Sequence, residues 1–171
     1  MLFRSRNNGD GVRSVNSEVK PRTETKAVRA SLAFAPTEDF TGDLVYQHLE
    51  KTQDAFTQFV GSDNAGSDPT LTYSDRAGLS EGANHYTQKI DVVTGHAAWR
   101  LGGSTLSYIA SYGKFGLDMK LANDQDNAVK NVEWYQTGYV DRTQTTHELR
   151  LASNQEPGKI LDYTLGIFYQ W

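Results

Sequence analysis

Short and long links alternate along this chain, between stretches in which apolar and polar residues alternate. Tight turns are predicted at Ala35–Asp39, at Leu101–Ser104 and at Ser153–Gly158. Two much longer polar connections run roughly from Lys51 to His85 and from Lys114 to Arg142. Antiparallel strands with tight turns at one end and long loops at the other are typical of a transmembrane β-barrel. A soluble sandwich has no physical reason to keep all its long loops on one side.

The patterned stretches have the period of two that β-strands require. Thr23–Ala35 and Phe40–Leu49 form the first predicted hairpin, and Thr87–Tyr112 forms the second. The third joins a strand around Leu149 to one that ends at Trp171. Each stretch has roughly the 9–11 residues that a tilted strand needs to cross the hydrocarbon layer. We therefore predict an all-β fold of antiparallel up-and-down strands, a partial transmembrane β-barrel of about 6–7 strands with short periplasmic turns and long extracellular loops.

Aromatic residues mark the ends of the predicted strands on their apolar face. Barrels carry such aromatic girdles at both lipid interfaces. Ile90 and Val92 depart from the pattern, because they fall on the otherwise polar face of their strand and leave its upper part ambiguous. The predicted girdle residues are Tyr46, Trp99, Tyr112, Tyr163, Tyr169 and Trp171.

The opposite face of the strands mixes charged residues with Gly, Ser and Ala, as a wide water-filled lumen would. The alternative is a soluble up-and-down barrel or sandwich whose core receives the apolar face, since half-buried soluble strands alternate in the same way. Four charged residues are candidates for the lumen, although ordinary cross-strand charge ladders would use them equally well. They are Arg29, Glu148, Arg150 and Asp162.

Composition limits the partners and the compartment. The 171 residues carry a net charge of −4 with acids and bases well mixed, so no basic field indicates a nucleic-acid partner. There is no cysteine, which excludes disulfides and thiolate metal sites. The first residues lack the apolar core of a secretory signal, which an outer-membrane protein needs, so we expect an internal piece of a longer precursor. Residues 1–22 are interpreted as an extracellular loop or a truncated strand, and 23–171 as the partial barrel.

Catalytic and metal-binding motifs are not found in the sequence. Asn123–Asn127 is similar to the start of a calcium loop, but Val129 and Tyr135 occupy the positions where an EF-hand needs Gly and Glu. Asp63 and Asp68 lie in a Gly/Ser/Asn-rich stretch and are interpreted as loop residues. No serine lies in a G-x-S-x-G motif, and the histidines lack the spacing of zinc enzymes. We expect no enzymatic activity, no metal and no cofactor.

The long loops contain aromatic residues among Asn, Asp and Gln. Such rings can stack on a ligand while polar groups orient it, or they can pack on one another above the strands. The candidate ligand contacts are Phe56, Phe59 and Tyr73 in the first loop and Trp134, Tyr135 and Tyr139 in the second.

Three segments resemble the barrel of TonB-dependent outer-membrane receptors, and they occur in the order found in that family. The third hairpin, Thr146–Ser153 followed by Leu161–Tyr169, is similar to the family's "ELRLAS" strand, short turn and "LDWVLGLFY" strand. Val28–Asp39 resembles its strand that ends in a "P-T-D/E-D" turn. Leu101–Tyr112 resembles its "L-G-x-x-T-L-x-S-I-T-x-Y" hairpin. Tyr163 stands where the family often has Trp.

The resemblance implies a location and a function for the parent protein. Such receptors lie in the outer membrane of Gram-negative bacteria and import nutrients such as siderophore–iron complexes, cobalamin or oligosaccharides. Their partners are outer-membrane lipid, the nutrient, a plug domain and the TonB complex. This chain has neither plug nor TonB box, and barrels of this kind have about 22 strands, so it would be a fragment. A small complete barrel is the alternative, because Trp171 ends an alternating aromatic stretch as a barrel-assembly signal does.

Overall fold

Nearly all of the regular structure is β-strand. A computed structural model describes residues 1–9, 11–62, 68–154 and 160–171. Within these ranges the helical structure is one short 3-10 turn, Tyr73–Asp75, and no helix is long and apolar enough to cross a membrane. The strands are β1 Leu2–Asn8, β2 Arg13–Ser14, β3 Arg22–Thr37, β4 Phe40–Ala55, β5 Ala77–Gly78, β6 Asn84–Leu101, β7 Ser104–Ala122, β8 Tyr135–Ser153 and β9 Thr164–Gln170.

Seven of these strands form one sheet in the order β1-β3-β4-β6-β7-β8-β9, and every neighbouring pair is antiparallel. This confirms the all-β, up-and-down prediction. β2 and β5 form a separate, two-stranded parallel pair. The large sheet is open: β1 and β9 are its edges, and no pairing between described residues joins them. Residues 1–22 are interpreted from the sequence as an extracellular loop or a truncated strand. Within them, Leu2–Asn8 form the edge strand β1.

The tight turns fall at one end of the sheet. Gly102 and Gly103 join β6 to β7, and the positive φ of 59° at Gly102 is the conformation predicted for this reversal. At the β3–β4 turn the register shifts between Phe34 and Thr37, where Pro36 has no N–H for the ladder. Of the predicted turn Ser153–Gly158, only the first two residues belong to the described part of the chain.

The three long connections, which join β1 to β3, β4 to β6 and β7 to β8, all leave the sheet at its other end. The loop asymmetry is therefore as predicted. The strands are longer than predicted, however: β3 and β4 have 16 residues each, and β7 and β8 have 19. Strand pairing continues through polar residues because they face each other across the ladder as charge pairs, such as Lys26 with Glu50 at 3.8 Å.

The register decides which residues share a face, because directly paired residues point the same way. One row runs from Leu32 through Leu44, Gly95 and Ala110 to His147. Together with the rows beside it, this row defines what we call the apolar face; the other side of the sheet is the second face. The apolar side chains of the apolar face include Ala30, Leu32, Phe34, Phe40, Leu44, Tyr46, Val93, Ala97, Trp99, Leu101, Leu106, Tyr108, Tyr112, Leu149, Leu151, Leu165, Ile167 and Tyr169.

Polarity changes faces about halfway along the strands. Towards the long loops the apolar face becomes charged, beginning at the row that contains His48 and Asp91. Here the second face carries the apolar side chains instead, in a row with Leu49, Ile90 and Phe115. This exchange explains why Ile90 does not fit a single alternating pattern along its strand.

One close contact depends on glycine at a particular position. The Phe34 ring covers the backbone of Gly42, its directly paired neighbour in β4. A Cβ atom at Gly42 would lie 2.3 Å from the Phe34 Cζ. Gly116, on the same side of the sheet, has open space around it.

We expect Gly42→Ala to displace the Phe34 ring and to lower the free energy of unfolding by about 1–3 kcal/mol, as overpacking generally does. Gly116→Ala is the matched control, because its added Cβ meets no atom within 4 Å. Urea unfolding of the detergent-refolded chain, followed by tryptophan fluorescence, measures both. Equal free energies of unfolding for the two variants would show that the position of the Phe34 ring does not depend on glycine at position 42.

Candidate functional site

The apolar face is exposed. Leu32 is 63% exposed, Trp99 52% and Ile167 73%, although all three lie within long, well-paired strands. Within the described ranges no helix or second sheet packs against these residues. A continuous apolar surface across β3, β4, β6, β7, β8 and β9 is far larger than the scattered patches of ordinary soluble monomers, and such surfaces mark sites of association with protein or lipid.

Aromatic residues border this face on two levels. Near the tight turns, Trp99 pairs with Phe40, and the Tyr163 hydroxyl lies 2.6 Å from the Ser104 Oγ. On the side of the long loops, Tyr46 and Tyr112 lie in the row of Val93.

Trp171 belongs to the same row as Tyr112, because Trp171 and Thr145 exchange backbone hydrogen bonds of 2.9 and 3.0 Å. Tyr169 was predicted with the girdle residues, but it lies one row further inside, opposite His147.

His147 is a polar residue within the apolar face, in the row of Leu44 and Ala110. Its Nδ1 lies 2.7 Å from the Tyr108 hydroxyl, and its ring stacks against those of Tyr108 and Tyr169 at centroid distances of 6.1 and 6.5 Å. The imidazole is therefore supplied with a hydrogen-bond partner on its own face. A buried or lipid-facing polar group without such a partner would cost free energy.

The second face carries three of the four predicted lumen residues. Arg29, Glu148 and Arg150 lie on it, and the guanidinium of Arg150 forms an ion pair with Glu148 two residues away on β8. Asp162 precedes β9, where its carboxylate accepts a hydrogen bond of 3.2 Å from the Ser153 hydroxyl. Glu148 and Arg150 thus neutralise each other on the second face.

The three long connections pack together into what we call the loop unit, residues 11–21, 56–62, 68–83 and 123–134. The N–H of Val15 donates to the carbonyl of Gly78 at 3.0 Å and joins the first connection to the second. The N–H of Gly82 donates to Glu133 at 2.9 Å and joins the second to the third. Most fully buried side chains lie here or directly below, among them Leu79 at 0% exposure.

Asp68 is the centre of a polar network in the loop unit. Its carboxylate accepts hydrogen bonds of 2.8 Å from the side-chain amides of Asn16 and Asn127, and Lys130 lies 2.8 Å away. Burial opposes ionisation of this carboxyl. The hydrogen bonds from Lys130, Asn127 and Asn16 outweigh that effect and hold the pKa of Asp68 below its ordinary value of 3.8.

Asp124 lies in the stretch that is similar to the start of a calcium loop, and its carboxylate is used locally. Its two oxygens accept hydrogen bonds from the backbone N–H groups of Ala128 at 2.9 Å and Val129 at 3.0 Å. This is the usual way in which Asp stabilises a turn. The described part of the chain contains no group of three His, Cys, Asp or Glu side chains placed to hold a metal ion. Asp63 lies outside the described residues.

The aromatic candidates of the first long loop differ in exposure. Phe56 is 6% exposed, and its Cβ lies 3.8 Å from where a side chain at Gly78 would begin. Its ring therefore belongs to the interior of the loop unit instead of a ligand-facing surface. Phe59 is half-buried, whereas Tyr73 is 81% exposed within the 3-10 turn.

The aromatic candidates of the second loop lie at the top of β8 or just before it. Trp134 is 49% exposed. The Tyr135 ring holds the Lys120 ammonium 3.8 Å from its centroid, and burial together with the charge of Glu133 raises the pKa of its hydroxyl. Tyr139 is 82% exposed but lies on the same side of the sheet as the apolar face. The structure does not bring these rings together with Tyr73 into one site.

Sequence reasoning missed the residues that hold the loops together. Asn16, Asp68 and Asn127 are far apart in the chain and belong to no motif. The only local signal is the polar, Asn- and Asp-rich composition of the loops, which predicts turns without identifying partners.

No family model, curated protein or solved structure matches the chain significantly. The apolar face and the loop unit are therefore the features that indicate a function.

Stability of the loop unit should depend on pH through Asp68. A carboxyl whose folded pKa is depressed contributes stability above its unfolded value, near 3.8, and that contribution is lost as the pH falls through the lower folded pKa. We expect amide hydrogen exchange at Asn127 to be slow and constant from pH 7 to about 4, after correction for intrinsic rates, and to lose protection below that.

Asp68→Asn should reduce this protection by about 1.5–3 kcal/mol at pH 7, the usual range for hydrogen bonds to charged groups, and should remove its acid dependence. Asp118→Asn, at an exposed strand position, is the matched control. Unchanged exchange in the Asp68 variant would show that the network does not hold the loops.

Proposed function

We propose that this chain forms part of the wall of a transmembrane β-barrel in the outer membrane of a Gram-negative bacterium, and that its parent is a TonB-dependent receptor for nutrient uptake. The observation that carries the proposal is the exposed apolar face on an up-and-down sheet whose long connections all lie at one end. The sequence resemblance in three hairpins supports the choice of family. The chain would supply no catalytic step.

The dimensions of the apolar face fit a bilayer. On β6 the apolar face extends over nine consecutive residues of the strand, from Val93 to Leu101. A tilted transmembrane strand needs about 9–11. The border aromatics lie at the two ends of this span, and the charged row that begins at His48 lies beyond it. In water the same face would expose its apolar side chains at a cost of about 25 cal/mol per Å².

The loop unit lies at the end of the sheet with the long connections, which agrees with an extracellular location. Barrels of this class have short periplasmic turns and longer extracellular loops. In the proposed arrangement the second face lines the lumen, where Arg29, Glu148 and Arg150 meet water, the plug or the transported nutrient. The nutrient would be a siderophore–iron complex, cobalamin or an oligosaccharide, and TonB would supply the energy through the plug of the parent.

A soluble all-β binding module is the competing function. Its apolar face would need to be covered by a protein layer. The described residues contain no such layer, so the soluble alternative requires a covering partner.

The native tryptophans can test the membrane proposal, because Trp99 lies at the border of the apolar face and Trp134 lies in the loop unit. The full chain is refolded into phosphatidylcholine vesicles as two variants, each keeping one of these residues and carrying Phe at the other two tryptophan positions. We expect brominated lipid to quench Trp99, and aqueous iodide to quench Trp134. Equal iodide quenching of both, or a monodisperse chain that remains in water, would contradict the proposal.

A charge on the apolar face should be costly only in lipid. We expect Leu32→Arg to lower the free energy of unfolding in vesicles by about 2–4 kcal/mol, the range for Arg near the midplane of a barrel surface. Ser31→Arg, the neighbouring position on the second face, is the matched control and should have little effect. Urea unfolding in vesicles measures the free energy of unfolding of both variants. An equal decrease in both would show that lipid does not contact the apolar face in preference to the second face.

A further inference from the structure

Two arginines line one polar cleft in the loop unit. The cleft has a volume of about 410 Å³. The residues that line it are Gly9, Gly11, Arg13, Asp75, Arg76 and Ala77. This volume lies within the range of about 300–1,000 Å³ that is usual for small-molecule sites. Tertiary structure creates the cleft, because β2 and β5 are far apart in sequence and pair Arg13 with Ala77.

The described residues that line the cleft carry a net positive charge, because two arginines, Arg13 and Arg76, face one aspartate, Asp75. Neither Arg13 nor Arg76 forms an ion pair with a described residue, whereas Lys130 of the loop unit pairs with Asp68 at 2.8 Å. Asp75 is the acidic residue of the cleft, and its Oδ2 already accepts hydrogen bonds from Thr72, 2.6 Å from the backbone N and 2.7 Å from the hydroxyl. Asp10 lies outside the described residues.

The backbone of Arg76 adds a second, independent observation. Arg76 ends the 3-10 turn with φ 47° and ψ 43°, a left-handed conformation that Gly or Asn adopts at much lower cost. Non-Gly residues held in this region cost free energy, and they cluster at active sites and ligand clamps. Arg76 lines the same cleft as Arg13.

Gly9 and Gly11 line another part of the cleft, where they contribute no side chains. Gly9 has φ 94°, and a Cβ atom there would lie 3.2 Å from the Arg13 Nη2. The N–H of Gly9 donates to the carbonyl of Pro21 at 2.9 Å, which anchors this wall to the start of β3. The guanidinium of Arg13 therefore lies close to the backbone without a side chain between them.

We propose that this cleft binds a small ligand that bears two or more anionic groups, carboxylate or phosphate, through the paired guanidiniums of Arg13 and Arg76. A guanidinium presents donors in a planar fork that matches both of these anions. Two forks in one cleft favour a multivalent anion over a single acetate or chloride. The inference deepens the proposed function, since the cleft lies on the side of the long loops and would give the receptor an anionic nutrient.

The test measures binding and does not depend on membrane insertion. The full chain is refolded in zwitterionic detergent and titrated calorimetrically with citrate and, separately, with inorganic pyrophosphate. We expect binding of at least one of the two, weakening as ionic strength rises, because partly exposed ion pairs are screened. Citrate alone identifies a carboxylate site, and pyrophosphate alone identifies a phosphate site.

Arg13→Gln and Arg76→Gln should each weaken binding about tenfold or more, and the double variant should abolish it. Arg100→Gln, an exposed arginine at the opposite end of the sheet, is the matched control and should bind as the unmodified chain does. Hydrogen exchange at Asn127 verifies that the loop unit remains folded in each variant.

Binding of neither anion, or equal loss in the Arg100 variant, would overturn the proposal. Because the tryptophan quenching experiment reports on the apolar face alone, failure of the anion site and failure of the membrane assignment are distinguishable.

Discussion

The antiparallel ladder that runs without interruption through β4, β6, β7 and β8 is the constraint on which the rest of the structure depends. With a side-chain period of two, one fixed register decides the face of every residue in the sheet. It sets Leu44, Gly95 and Ala110 on one side and Asp43, His96 and Glu148 on the other. A slip of one residue would exchange those sets, and the apolar face would no longer exist as a continuous surface.

The sheet has no interior of its own, and this shapes how the chain is stabilised. Buried side chains concentrate in and below the loop unit, where Leu79 and Asn127 are almost fully enclosed. Every buried side-chain nitrogen and oxygen among the described residues has a hydrogen-bond partner. The polar network around Asp68 therefore holds the loops in one arrangement without a large apolar core. In the proposed setting, lipid would take the place of the missing interior for the strands.

Local pattern predicts a large part of this fold for identifiable reasons. Gly102 and Gly103 allow a reversal that few other pairs allow. The alternation in the last hairpin assigns Leu149 and Ile167 to the apolar faces of their strands, and the two residues pair in the sheet. The strand ends could not be predicted in the same way, because charged cross-strand pairs continue the ladder where hydropathy suggests a loop. His85, for example, faces Asp54 across β4 and β6 at 2.6 Å, in a region predicted to be loop.

By itself, the sequence determined the class of structure: antiparallel strands with one apolar face, short turns at one end and long connections at the other, since these follow from residue spacing and turn chemistry. Tertiary structure decided the loops. Asn16, Asp68 and Asn127 meet only after three separate connections pack together, and Arg13 reaches the cleft of Arg76 only through the pairing of β2 with β5. Contacts between distant residues depend on how the loops close in space, and no local period in the sequence encodes that closure.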